Sequence, residues 1–147
     1  MGFQYKFEKI LAVKENEKDK AIGDYHESVV KFEEVATKLY NVLKQKEDII
    51  AEQEQQIQTG LNIIQIQQLQ RFLETLEQSI NYWQEKVANA RHHMEVKEKI
   101  LLEKNIEVKK YEKMKQKAKL TFHQIAKVEE NKLMDEISIQ QFMNRGN

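Results

Sequence analysis

Two apolar stripes run along this chain, and they do not share a phase. In the first, Ile22, Tyr25, Val29, Phe32, Ala36, Leu39, Leu43, Lys46, Ile50, Gln53, Ile57, Gly60 and Ile64 follow one another at alternating spacings of three and four residues. The second repeats that spacing, apart from two successive steps of four at Ser79, Trp83 and Val87, through Leu69, Phe72, Leu76, Ser79, Trp83, Val87, Ala90, Met94, Lys97, Leu101, Lys104, Val108, Tyr111, Lys115, Ala118, Phe122 and Ile125. Such spacing puts every member on one side of a helix and reads as a coiled-coil seam. After Ile64 the first stripe expects Gln67, but the second begins at Leu69, two residues late. At about 100° per residue the seam would be rotated by roughly 200°. A single continuous helix would then carry its seam on opposite faces in its two halves. A turn removes that conflict.

The turn has an address. Residues 55–70, QQIQTGLNIIQIQQLQ, carry no charge and hold Gly60 and Asn62, both suited to ending a helix. Ile64 to Gln67 alternate with a period of two, as a strand would, but the long helical patterns on both sides favour a helical or irregular tip. The spacing therefore predicts an all-α fold, a long two-helix antiparallel coiled-coil hairpin with unequal arms. The reading is one coiled-coil domain over residues 1–147, with helix one over about 4–58, a tip over about 59–66 and helix two over about 67–142. At 1.5 Å per residue the helices span roughly 80 and 110 Å. Folding at residue 62 or 63 places Phe3 near Phe122. Residues beyond about 122 are left without a partner helix, yet still carry Ile125, Val128, Leu133, Ile137 and Phe142. An isolated helix gains little stability without packing, so this overhang either frays or packs on another molecule.

Composition supports long helices. There is no proline and only 4 glycines, while charged residues make up 33%. Proline costs about 3 kcal/mol inside a helix, so nothing in this chain breaks one that strongly. Cysteine is absent, which excludes a disulfide frame, a thiolate nucleophile and Cys-based metal sites. No run approaches the roughly 20 apolar residues that span a bilayer. The start, MGFQYKFEKI, lacks the apolar core of a signal peptide, and the expectation is a soluble cytoplasmic protein with no integral membrane segment. Lys46, Lys97, Lys104 and Lys115 fall on the seams. They either fix register or lay their stems along the seam with the ammonium outward.

Charge is uneven although the net is zero. Residues 1–57 hold nine Lys and twelve acids, whereas residues 98–127 hold nine Lys and four Glu. The block KKYEKMKQKAK (109–119) lies, in the hairpin, beside the part of helix one that holds Glu8, Glu15, Glu17 and Asp19. It is either charge-matched across the hairpin or a basic end directed at an acidic surface, where it would act on encounter rate and orientation. With zero net charge and no base-reading module, nucleic acid is not an expected partner. Attachment to a membrane surface through the same block stays open.

Catalytic patterns are missing. The chain has no Gly-rich phosphate loop and no G-x-S-x-G. His92 and His93 are adjacent and would point about 100° apart on a helix, unsuited to joint chelation. His92 and Glu95, three apart, could share a face, but solvated histidines are the simpler reading. No enzyme activity, cofactor or metal is expected. Trp83 lies on the second stripe with Phe72, Leu76 and Ser79, so it is either hairpin core or an anchor for a partner.

Three segments resemble one family in the same order. YKFEKILAVKENEKDKA (5–21), QRFLETLEQSINYWQEKVANAR (70–91) and MDEISIQQF (134–142) are similar to the opening, the start of the second helix and the C-terminal Asp-Glu segment of the flagellar type III export protein FliJ. The resemblance implies a non-catalytic two-stranded antiparallel coiled coil, like the central stalk (gamma) of rotary ATP synthases. It further implies a stalk that binds and activates the ring of the export ATPase FliI. The same stalk would couple the ring to the export-gate protein FlhA and help recycle export chaperones. Such a protein would be cytoplasmic and peripherally associated with the inner membrane at the flagellar base. Carried over by position, the gate contact falls on Phe72, Leu76, Ser79 and Trp83, with Val42 and Ile49 nearby. Ser79 and Trp83 depart from the Ala and His of some relatives, which leaves the contact chemistry at those two positions open. The expected ATPase contact, from shape and charge, is Phe7, Ile10, Leu11, Lys109, Lys110, Lys113, Phe122 and Ile125. The competing reading is a generic cytoplasmic coiled-coil spacer or adaptor that dimerises.

Overall fold

The computed structural model of the chain describes residues 2–60 and 62–146. It holds two helices, α1 (Glu8–Thr59) and α2 (Ile63–Arg145), and no strand among the described residues. The fold is all-α, an antiparallel two-helix hairpin whose arms are 52 and 83 residues long. The chain groups into two compact units, one formed by Met1–Asp19 with Glu103–Asn147 and one by Lys20–Leu102.

In the unit Lys20–Leu102 the chain reverses. Gly60, with φ 92°, follows the last residue of α1 in the left-handed conformation that closes many helices. Asn62 then caps α2. Its Oδ1 accepts from the Gln65 N–H at 2.8 Å, and its carbonyl accepts from the Ile66 N–H at 3.2 Å. This cap starts α2 at Ile63, inside the expected tip, and the alternating residues Ile64 to Gln67 are helical.

Beyond the turn, partner numbers on α2 fall as those on α1 rise, the mark of an antiparallel pair. Lys46 Nζ lies 2.9 Å from Glu77 Oε2, Lys38 Nζ 4.9 Å from the Trp83 ring, and the Arg91 guanidinium 5.6 Å from the Phe32 ring. Ala21, Leu76 and Ile80 are the buried apolar residues of this unit. Ser28 is buried too, and its hydroxyl donates to the Tyr25 carbonyl at 2.6 Å.

The α1 seam here differs from the expected stripe. The shielded residues are Ala21, Asp24, Tyr25, Ser28, Val29, Phe32, Val35, Ala36, Leu39, Val42, Lys46, Ile49, Gln53 and Gln56. Tyr25, Phe32, Leu39, Lys46 and Gln53 lie where expected. At the alternate positions the shielded residue is one earlier than the expected Ile22, Leu43, Ile50 and Ile57, whereas Val29 and Ala36 are shielded together with Ser28 and Val35. Large Tyr25 and Phe32 alternate with small Ala21 and Ser28, which the opposite helix covers almost completely. In α2 the seam takes Leu73 and Ile80 in place of Phe72 and Ser79, and from Trp83 to Phe122 it follows the expected spacing.

In the unit of Met1–Asp19 and Glu103–Asn147, Leu11 and Val108 are 3% and 2% exposed and form the core. Cross-helix ion pairs frame them: Lys115 to Glu8 at 3.0 Å, Lys14 to Glu107 at 2.9 Å, and Lys104 to Glu17 at 3.2 Å. Helix one was expected from Gln4 but begins at Glu8, whose N–H donates to the Tyr5 carbonyl. The residues before it leave helical form to pack on α2. The Tyr5 hydroxyl donates to the Tyr111 carbonyl at 3.0 Å, and Phe3 meets Phe122 at 5.6 Å between ring centroids. The juxtaposition of Phe3 and Phe122 is as the turn position predicts. From His123 to Gly146 every residue is exposed, and α2 continues to Arg145, a cation suited to a helix C-terminus.

Candidate interaction surfaces

Within the unit Lys20–Leu102, the residues suggested for a gate contact occupy one side of α2 at spacings of four, three and four. They are not equally available. Leu76 is 6% exposed and belongs to the seam, whereas Phe72 is 49% exposed on its flank. Ser79 is half-buried, seven residues from Phe72 on the same flank. Trp83 is half-buried, stacked edge-on by Tyr82 at 5.0 Å and capped by the Lys38 ammonium. Its ring is thereby held in one orientation. Val42 and Ile49 are half-buried seam residues of α1. Phe72 and Ser79 thus lie beside the seam, and Leu76 and Trp83 support them from within it.

In the other unit, the N-terminal strap and α2 enclose an open apolar groove of about 520 Å³, lined by Phe3, Phe7, Met114, Phe122 and Ile125 among others. Phe7 is half-buried between Tyr5 (5.9 Å) and Tyr111 (6.4 Å). Ile10 is 40% exposed and Ile125 54%, while Leu11 points into the seam. Of the residues suggested for an ATPase contact, Leu11 therefore supports the surface from inside rather than lining it.

The basic block divides in two. Lys104 and Lys115 spend their charge on Glu17 and Glu8 across the helix pair. Lys109, Lys110 and Lys113 are exposed and have no ion-pair partner among the described residues. With Ile106, Met114 and Lys117 they form a basic face on the outside of α2. Ile106 and Lys117 were not singled out from sequence. Their spacing of three and four residues from Lys109, Lys110 and Lys113 is the signal that finds them.

Electrostatics in this unit centre on Lys14 and Glu107. The hydrogen bond from Lys14 holds the Glu107 carboxyl below its usual pKa, and the same bond raises that of Lys14. Desolvation, with Tyr111 and Glu8 nearby, raises the Tyr5 phenol. These are structural pairs, not a proton-transfer constellation. Among the described residues no group of three or more His, Asp or Glu side chains is placed to hold a metal, and His92 and His93 are exposed. No described helix is long and apolar enough to cross a membrane.

A paired-helix fold with exposed apolar and basic faces places the chain in the class of helical-hairpin proteins. Residues 3–147 match the model of the family described as Flagellar FliJ protein, and the chain belongs to that family. It is 42% identical over 146 residues to the Flagellar FliJ protein of Bacillus subtilis (strain 168), across 99% of either chain. Among solved structures it resembles a putative YscO homolog, CT670, of Chlamydia trachomatis, with a TM-score of 0.68 over 99% of this chain and 100% of that one. At 19% identity that likeness concerns the fold alone. As a family member the protein is a component of the flagellar export apparatus.

Proposed function

We propose that this protein is the non-catalytic stalk of the flagellar export apparatus. It binds and activates the ring of the export ATPase FliI with the unit that holds both termini. It engages the export-gate protein FlhA through the flank of Phe72 and Ser79 in the other unit. It also escorts export chaperones, and it works at the flagellar base, peripheral to the inner membrane. One observation carries the ATPase end of this reading. Ile125, Val128, Leu133, Met134, Ile137, Ile139, Phe142 and Met143 are 41–79% exposed on a stretch of α2 with no partner helix. Such a run of open apolar side chains favours a site that another molecule covers. Ile10, Phe122 and the outward Lys109, Lys110 and Lys113 belong to the same unit.

The test is ATP hydrolysis by the cognate export ATPase, with and without this protein at near-stoichiometric amounts. The expected result is a rise in rate that is lost on deleting residues 120–147. Reversing charge at Lys109, Lys110 and Lys113 should weaken binding and make it less salt-sensitive. No rise, with both proteins folded and the ATPase oligomerising normally, favours the passive spacer or adaptor. Unchanged affinity of the triple variant removes the basic face from the contact.

A further inference from the structure

Ile22, Val29, Ala36, Leu43, Ile50 and Ile57 recur every seven residues of α1, one position past alternate seam residues. Five of the six are large aliphatic side chains; Val29 and Ala36 share the shielding of the seam beside them, and the other four lie outside it. Ile22, Leu43, Ile50 and Ile57 are 44%, 38%, 38% and 56% exposed, and Val29 and Ala36 are half-buried. All lie in the unit Lys20–Leu102. A two-stranded coiled coil needs only its two seam positions, and its flanking positions are commonly charged. A third apolar position per heptad widens the stripe to what a helix presents inside a bundle of more than two helices. The ridge keeps this up over 35 residues from Ile22 to Ile57, about 52 Å of helix. Strict seven-residue spacing keeps it alongside the seam throughout, a path that another helix winding on the pair can follow.

Charge selects the occupant. Along the outer border of the ridge, the positions four residues after its first five members are His26, Glu33, Tyr40, Glu47 and Glu54. There is no Lys or Arg among them, and three are acidic. On the α2 side lie Glu77, which reaches Lys46, and Arg91, over Phe32. A second copy offering the same ridge would bring Glu33, Glu47 and Glu54 toward their own kind, which is unfavourable. We infer that the Ile22–Ile57 ridge of α1 is a docking surface for an amphipathic helix of another protein, apolar at heptad spacing and flanked by basic residues. Ridge and partner would together form a three-helix packing. This inference does not depend on how the ATPase or the gate is bound.

The test uses the full chain and two synthetic helices of about four heptads, one with leucines flanked by lysines and a twin flanked by glutamates. Fluorescence anisotropy of the labelled peptides should show the lysine peptide binding at least about tenfold more tightly than its twin, and less tightly as salt is raised. The double variant L43E/I50E should weaken that binding at least about tenfold. I22S/I57S, at the more exposed ends of the ridge, repeats the test with milder changes, and circular dichroism checks that helicity is kept. Equal binding by a folded ridge variant overturns the inference, as does no preference between the peptides or no binding at all. A concentration-dependent dimer of the wild type that the ridge variants abolish, seen by sedimentation, would make the occupant a second copy and overturn it too.

Discussion

Phe72 and Leu76 are one helical turn apart, and the sequence suggests both for the gate contact, but they should fail in different ways. Leu76 is 6% exposed in the seam, and Phe72 is 49% exposed beside it. Truncating a buried leucine to alanine removes about 2–5 kcal/mol, depending on how far the surroundings close over the gap. A seam between only two helices has little around it, and water reaches the gap from either side. The lower part of that range, about 2–3 kcal/mol, is therefore expected for Leu76→Ala. For a chain of this size each kcal/mol moves the melting temperature by about 2–4 °C, so the midpoint should fall by about 5–10 °C. Phe72→Ala gives up a side chain already half in water, and its midpoint should move by less than about 2 °C.

Binding should rank the two differently. An aromatic side chain with one open face is a common interface anchor, and its loss should weaken association with the cytoplasmic part of the gate about tenfold or more. The measurements are thermal melts followed by circular dichroism, then calorimetric titration of each folded variant against that gate fragment. Equal destabilisation by the two substitutions would refute the seam assignment, because Phe72 would then be core. Unchanged affinity of the Phe72→Ala protein would instead refute its place in the gate contact. The two failures are separable, since the first concerns folding alone.

The turn yields a matched pair of substitutions. Gly60→Ala has open space for the new methyl but forces a positive φ, and should cost about 1 kcal/mol. Gly23→Ala, on an open face of α1, should stabilise by about 0.5–1 kcal/mol, and urea unfolding distinguishes the signs. Asn62→Ala removes the acceptor for the Gln65 N–H and should cost about 1 kcal/mol in the same assay. For the Lys14–Glu107 pair, the lowered carboxyl contributes stability above its unfolded-state pKa and loses it as pH falls through the depressed folded value. The raised Lys14 contributes below its unfolded-state pKa, with a loss only as pH rises through its folded value, above the ordinary lysine range. The melting difference between wild type and Glu107→Gln should therefore persist at neutral pH and close below the usual carboxylate range.

The hairpin was legible because its signals are local. Gly60 and Asn62 act on their own backbone, and heptad spacing is a property of one helix at a time. The pairing of Phe3 with Phe122 followed from the turn position by counting. The seam of α1 was legible only at every second position, for a reason that lies between the helices. Ile22 and Ile57 are more hydrophobic than Ala21 and Gln56, so a search for apolar spacing selects the ridge there, while at Val42–Leu43 and Ile49–Ile50 both neighbours are apolar and spacing does not separate them. What decides the core is the other helix, which covers the small residues Ala21 and Ser28 and leaves Ile22, Leu43, Ile50 and Ile57 on the flank. With α1 corrected, its stripe continues from Gln56 to positions 60, 63 and 67, while the α2 seam begins at Ile66. The phase break is one residue rather than two, a rotation of about 100°, and the direction of the chain at the turn rests chiefly on Gly60 and Asn62. The same displacement separates stability from recognition along α1. Residues that hold the pair together at alternate positions range from small or polar (Ala21, Ser28, Gln56) to aliphatic (Val35, Val42, Ile49), and Ile22, Leu43, Ile50 and Ile57 remain open beside them. Such a helix keeps its fold with a narrow core while its broader apolar side remains available for contact.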